Sequence, residues 1–526
     1  MAISKIKSFG ISGIDGYVVD VEIDISKGLP RFVLVGLPDT SVKESKDRVQ
    51  SAIVNSGAKF PLGKVVVNLA PADTRKEGGI YDLPIALGVL AAAEILEEKR
   101  LSEYAFVGEL GLDGEIRRVN GILPILITAV QKGIKKVIIP AENAHEASFI
   151  EGVEVYAAGT LVQVLNMFCV ASECLSGRQI TVGNSNGELI KVKTANFDKV
   201  KSEAVIDVDM KYVKGQFVAK RAMEIAAAGG HNVLLIGPPG SGKTMLAKCF
   251  ANILPDMTFA ESIETTKIHS IAGVLDSKKG IIVQRPFRTP HHTASLVALA
   301  GGGTKAKPGE ISLAHNGVLF LDEMPEYPRG CLEMLRQPLE DNKITISRAV
   351  ASVEYPASFT LVASMNPCPC GFYGSRTQKC SCRPGDIIMY LRKLSGPLLD
   401  RIDLHIEVDS VTYDDLTADD LAESSEDIKK RVDEARNVQL ARYKGAGNFS
   451  NSKMNAQQAK KFCVLDKESD KLLKESFNKL QLSARAYTRI LRVARTIADL
   501  EGCDSISVDH IAEAVSYRSL DRKYKM

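Results

Sequence analysis

The chain has 526 residues, 45% of them hydrophobic and 25% charged, with a formal net charge of +3 at pH 7. That length exceeds one hydrophobic core and calls for about three domains, and the near-neutral balance confines any basic contact surface to a local patch. No apolar run reaches membrane-spanning length, and Met1-Ala2-Ile3-Ser4-Lys5-Ile6 alternates like a strand, so a cytoplasmic protein without a membrane partner is expected. In that compartment the ten cysteines are mostly thiols. Cys169, Cys174, Cys249, Cys331, Cys463 and Cys503 are scattered and read as small apolar residues.

Residues 1–170 mix strands (17–23 and 64–69) with a helix over 84–93, an α+β pattern. The runs Lys76-Glu77-Gly78-Gly79-Ile80-Tyr81-Asp82-Leu83-Pro84 and Gly108 to Ile122, with Ala129 to Asn143 after them, resemble the proteolytic domain of Lon protease. On that resemblance Ile80 stands where the nucleophilic serine belongs and Leu123 where the lysine belongs. Neither can act as nucleophile or base, which implies a non-proteolytic domain, either a ring-forming or a DNA-contacting platform. Residues 171–206, around Gly183-Asn184-Ser185-Asn186-Gly187, read as a linker.

Over 207–410 helix and strand patterns alternate, as in a parallel sheet covered on both faces. The apolar run Val233-Leu234-Leu235-Ile236 leads into Gly237, Pro238, Pro239, Gly240, Ser241, Gly242, Lys243 and Thr244, and then into a helical pattern. Such a loop curls its backbone N–H groups around phosphate, with Lys243 for the β/γ oxygens and the Thr244 hydroxyl for Mg²⁺. The strand Gly317-Val318-Leu319-Phe320-Leu321 ends in Asp322, suited to holding Mg²⁺, and Glu323, suited to polarising an attacking water. Together they imply hydrolysis of a nucleoside triphosphate, ATP.

Between these motifs lies an insertion, Gln284 to Ser295, whose Arg285 and Arg288 are candidate DNA contacts. Its adjacent His291 and His292 are expected to point different ways and to serve as polar pore or phosphate contacts, not as metal ligands. Alternation from Lys343 to Val353 predicts a hairpin with Arg348 near its tip. It is either an ordinary exposed hairpin or, as in MCM helicases, one aimed into a DNA channel. Cys368, Cys370, Cys380 and Cys382 put four thiols in a short stretch, which suits tetrahedral structural Zn²⁺, with free or redox-active thiols as the alternative. Residues 411–526 are helical and charge-rich, a lid in which Ile490, Leu491, Val493, Ala494, Ile497 and Leu500 share a face.

Three further features resemble AAA+ ATPases. Asn366, ending the apolar run Leu361 to Met365, resembles a sensor that orients the attacking water. Arg401 lies in a segment where MCM helicases and magnesium chelatases carry an arginine finger. Arg485, with Arg489 as runner-up, resembles a second sensor for the γ-phosphate. The runs Arg285 to Ser295, Pro308 to Gly317 and Arg336 to Asp341 are similar to the YifB/ComM group of magnesium-chelatase-like ATPases, a likeness that covers essentially the full chain. The resemblance implies a homo-hexameric AAA+ motor promoting branch migration on single-stranded or branched DNA. The alternative is a chelatase-like motor that remodels a protein or metal-insertion partner.

Overall fold

The computed structural model describes residues 3–169, 188–202, 208–303, 306–347, 352–375, 378–410, 422–444, 450–480 and 482–518. They divide into two units, one of residues 1–202 with 259–282 and the other of residues 203–258 with 283–526.

In the first unit, strands Ile3–Ser12 and Asp15–Ser26 form a hairpin whose inward residues alternate, as a half-buried antiparallel pair requires. Around it grows a mixed eight-stranded sheet; from one edge its strands begin at residues 190, 154, 136, 104, 3, 15, 64 and 31. The helix Asp82–Ala92 is apolar on every side and wholly buried against the hairpin. Ile80 and Leu123 are buried within this unit.

Two segments depart from the sequence-based division. Ile190 and Lys191, expected in a linker, pair antiparallel with Ala157 and Tyr156 and extend the sheet. Two residues are too few to leave a periodic signal. Phe197–Ser202 in the same stretch forms a short helix, and 171–187 and 203–206 lie outside the described residues. The helix Phe259–Ala272, which falls in the expected nucleotide core, belongs to the first unit. It is anchored there by Ser270, whose hydroxyl bonds the Glu146 carboxylate and accepts the Gly121 N–H at 2.9 Å. Burial raises the Glu146 carboxyl pKa, while Ser270, the Leu123 N–H and Asn143 partly compensate by bonding the carboxylate.

The second unit is built on five parallel strands, in spatial order Phe287–Arg288, Val318–Leu321, Thr360–Met365, Val233–Ile236 and Leu404–Glu407. Three of them, 233–236, 318–321 and 360–365, are buried at every residue, as a sheet covered on both faces demands. The helical C-terminal region follows: Ser425–Arg442, Ala456–Phe462, Lys467–Leu480, Ala484–Leu500 and Val508–Ser516. Asn455, Ser483 and Ser507 cap three of these helices through their side chains. Ile490, Leu491, Val493, Ala494 and Ile497 are buried, as their spacing predicts. Among the described residues no helix is long and apolar enough to cross a membrane.

Candidate active site

The carboxyl ends of adjacent parallel strands converge, the place where open α/β sheets bind ligands. Val233–Ile236 ends in the glycine-rich loop, where Gly240 and Gly242 adopt φ of 76° and 85°. A Cβ at either would meet nothing within 4 Å, so the loop's inner face is bare backbone that phosphate can approach. Lys243 opens the helix Lys243–Ile253 and is largely buried. Its ammonium donates to the Gly237 and Pro238 carbonyls at 2.8 Å each and to Asn366 Oδ1 at 3.3 Å. Burial lowers its pKa, opposed by Asp322 and Glu323.

Asp322 and Glu323 follow Val318–Leu321. The Thr244 hydroxyl donates to Asp322 Oδ2 at 3.0 Å, and the Ser364 hydroxyl donates to Asp322 Oδ1. Two hard oxygen groups thus stand side by side, a donor set that fits Mg²⁺. Glu323 adopts a left-handed φ of 50°, and its N–H donates to Asp322 Oδ1 at 3.1 Å and Ser364 Oγ at 3.2 Å. On that uncommon backbone the Glu323 side chain is exposed, so water can reach its carboxylate. His292 Nδ1 lies 3.9 Å from Glu323 Oε2, close enough to pair when the imidazole is protonated. The His291 and His292 rings do not diverge as expected: their centroids are 4.1 Å apart with the planes tilted by 33°.

Two of the three candidate arginines, Arg401 and Arg489, are engaged within the unit. Arg401 is 5% exposed and donates to the Glu340 carboxylate and to the Pro397 carbonyl at 2.6 Å. Arg401 beside Glu340 holds its carboxyl below the usual range, and the charges of Arg485 and Arg489 add to that field. Arg485 is exposed on Ala484–Leu500, whereas Arg489 donates to buried Asp403. Burial would raise the Asp403 carboxyl, but Arg489 and His231 outweigh it and hold the pKa well below the usual range.

Arg288 forms a two-pronged bond to Glu310 at 2.7 Å on both arms, and Arg285 donates to the carbonyls of Pro255, Asp256 and Asn316. These bonds tie the insertion to neighbouring segments of the second unit, at Pro255, Asp256, Glu310 and Asn316. The expected hairpin is present as Lys343–Ser347 paired with Ser352–Pro356. Arg348, expected near its tip, lies outside the described residues.

The four thiols gather as a group. Sulfur–sulfur distances are 3.4 Å for Cys368–Cys370, 3.7 Å for Cys368–Cys380 and 3.5 Å for Cys370–Cys380. A disulfide needs about 2.05 Å, whereas a tetrahedral ion with bonds of about 2.3 Å spaces its sulfurs by about 3.8 Å. Backbone N–H groups of Cys370 and Tyr373 donate to Cys382 Sγ and Cys368 Sγ, each at 3.3 Å, as thiolate ligands favour. Of the other cysteines, Cys249, Cys331 and Cys463 are buried, but Cys503 is exposed, against expectation; Cys174 lies outside the described residues.

Comparison with known proteins decides the family. Residues 209–416 match the model for magnesium chelatase subunit ChlI, residues 21–143 a second ChlI model, and residues 422–518 the ChlI C-terminal model. The competence protein ComM of Haemophilus influenzae is 44% identical over 524 residues, which span 99% of this chain and 98% of that one. This chain belongs to the YifB/ComM family of magnesium-chelatase-like AAA+ ATPases. The Escherichia coli YifB protein is 43% identical over 523 residues, again 99% of this chain and 98% of its own. A Lon protease from Lachnoclostridium phytofermentans is 25% identical over 166 residues, 29% of this chain and 20% of its own, in keeping with a Lon-like N-terminal domain.

In a YifB/ComM-family ATPase, the loop 237–244 and Lys243 would hold the nucleotide phosphates, and Thr244 with Asp322 would hold Mg²⁺. The ion, when bound, neutralises phosphate charge. The exposed Glu323 carboxylate would be the group to take a proton from water, and the Asn366 amide, bonded to Lys243, would be the group to orient that water. Ser364 and Glu340 were not singled out from sequence. Both act through partners more than forty residues away, and a lone serine in an apolar strand or a glutamate in a helix carries no local signal.

Proposed function

We propose that this protein is a hexameric, cytoplasmic ATP-driven motor that moves single-stranded or branched DNA, the reading closest to branch migration. The observation that carries it is the position of the hairpin 343–356. It leaves the helix of Glu340, the Arg401 partner, and returns four residues before the strand Thr360–Met365, which Asn366 directly follows. A two-stranded lever joined directly to the groups that read nucleotide can convert turnover into movement of its tip. Likeness to a protein named for competence supports DNA as the cargo.

Arg348, which the sequence puts between the two strands, is an always-charged guanidinium suited to following a phosphate backbone. Arg348→Ala is expected to abolish DNA stimulation of ATP hydrolysis and junction movement while basal hydrolysis persists, since Lys243, Asp322 and Glu323 are untouched. Wild-type DNA binding is expected to fall steeply with salt, through counterion release, and to show little sequence preference. DNA that neither binds nor stimulates the wild type at low salt, with ATP present, would redirect the reading to a chelatase-like motor working on a protein partner.

The thiol group adds a structural metal to this reading. Four protein ligands leave no open position for catalysis, so zinc held by Cys368, Cys370, Cys380 and Cys382 is a clamp. Purified protein is expected to carry about one zinc per chain, and a variant with all four cysteines changed to serine about none. Metal analysis of the two proteins decides it: a metal-free wild type that is folded and active removes zinc from the account.

A further inference from the structure

The turn bearing Cys368 and Cys370 meets the phosphate-binding loop. Gly371 closes that turn, donating its N–H to the Cys368 carbonyl at 3.0 Å, with a left-handed φ of 87°. A Cβ at Gly371 would stand 2.5 Å from Pro239 Cδ and 2.8 Å from Pro239 Cγ. Only a residue without a side chain permits this approach. The same stretch begins just after Asn366, which accepts from Lys243. At its other end Cys382 leads into the helix Pro384–Leu391, and the Tyr390 hydroxyl is hydrogen-bonded to the Asn366 backbone. Both ends of the thiol loop therefore return to the residue that touches the P-loop lysine.

Among the described residues, the stretch between Cys368 and Cys382 forms neither helix nor strand. Such a loop holds one shape only if something closes it, and cross-linking its two ends removes the competing conformations.

We propose that the four-thiolate metal site is a positioning device for the ATPase. By closing the 368–382 loop it holds Gly371 against Pro239 and Asn366 beside Lys243, so nucleotide affinity depends on metal occupancy. This rests on the zinc reading above. The residues involved position the nucleotide machinery and contribute no bond-making group.

The test uses the full-length chain in four forms: wild type, Cys380→Ser with Cys382→Ser, Gly371→Ala, and the control Gly385→Ala, where a Cβ would meet nothing within 4 Å. Zinc content, thermal midpoint, and affinity for a fluorescent ADP analogue are measured on each, with KM and kcat for ATP. The cysteine variant should lose zinc and bind nucleotide about 10- to 100-fold more weakly, the scale that misplacement of a binding group commonly costs. Gly371→Ala should keep its zinc and lose affinity through KM, and combining it with the cysteine changes should add little further. Gly385→Ala should match the wild type. Zinc returned to chelator-stripped wild type should restore affinity.

Stripped and zinc-loaded wild type that bind nucleotide equally would overturn the clamp and leave the metal reading standing. Wild type carrying no zinc, or iron in its place, would overturn both. If stripping unfolds the chain, Gly371→Ala decides. Full zinc with weakened nucleotide binding sustains the clamp, and unchanged binding rejects it.

Discussion

Glu323→Gln should bind ATP as the wild type does and hydrolyse it about 10²–10⁴-fold more slowly, the range that general bases supply. The amide keeps the size of the carboxylate, and its position is set by the backbone N–H bonds to Asp322 and Ser364, which the substitution leaves in place. What is lost is the ability to accept a proton from water. Lys243→Ala should behave differently, losing nucleotide binding itself, because the buried ammonium is the charge nearest the loop carbonyls. Equilibrium binding together with single-turnover hydrolysis separates the two. Unimpaired turnover in Glu323→Gln would remove that residue from its catalytic role.

Removing an arginine finger should cost about 10³–10⁵ in rate, and mixing variants shows whether Arg401 acts across a subunit boundary. Arg401→Ala subunits keep Glu323, and Glu323→Gln subunits keep Arg401. In a ring with trans fingers, some interfaces of the mixture pair an intact Glu323 with an intact Arg401, and activity should reappear. Fingers acting within one subunit give no recovery. In this structure Arg401 is tied to Glu340, whose side chain is 48% exposed. Arg401 itself is 5% exposed and needs an anionic partner, so a neighbour's phosphate would have to replace Glu340 and not merely release it. Arg485 is exposed and its charge reaches the same glutamate, so Arg485→Ala belongs in the mixing series. Recovery with Arg485→Ala but not with Arg401→Ala would transfer the finger role to the lid.

Much of the nucleotide machinery was legible because its chemistry demands particular residues in one contiguous run. Phosphate binding needs glycines, a lysine and a hydroxyl in sequence after a strand, and Gly237 to Thr244 supply them after Val233–Ile236. Asp322, Glu323 and Asn366 were visible for the same reason, each directly after or just beyond a continuous apolar strand. The thiol group was visible because cysteines rarely cluster without cause. The lid face around Ile490 followed from helical periodicity over a long segment, the strongest pattern a chain can carry.

Tertiary structure alone decided the rest, since these features depend on residues far apart in sequence. The helix 259–272 reads as part of the nucleotide core by position, yet Ser270 finds Gly121 and Glu146 and places it in the other unit. That Arg285 meets the Asn316 carbonyl and Arg288 the Glu310 carboxylate could not be read from the insertion itself, since both partners lie more than twenty residues away. The contact of Gly371 with Pro239 exists only because the strands 233–236 and 360–365 lie side by side and bring their following loops to one edge. Sequence by itself determined which chemical groups this protein owns and which segments bury themselves. Packing decided which of those groups meet, because side-chain reach is a few ångströms and the order of strands in a sheet is not their order in the chain.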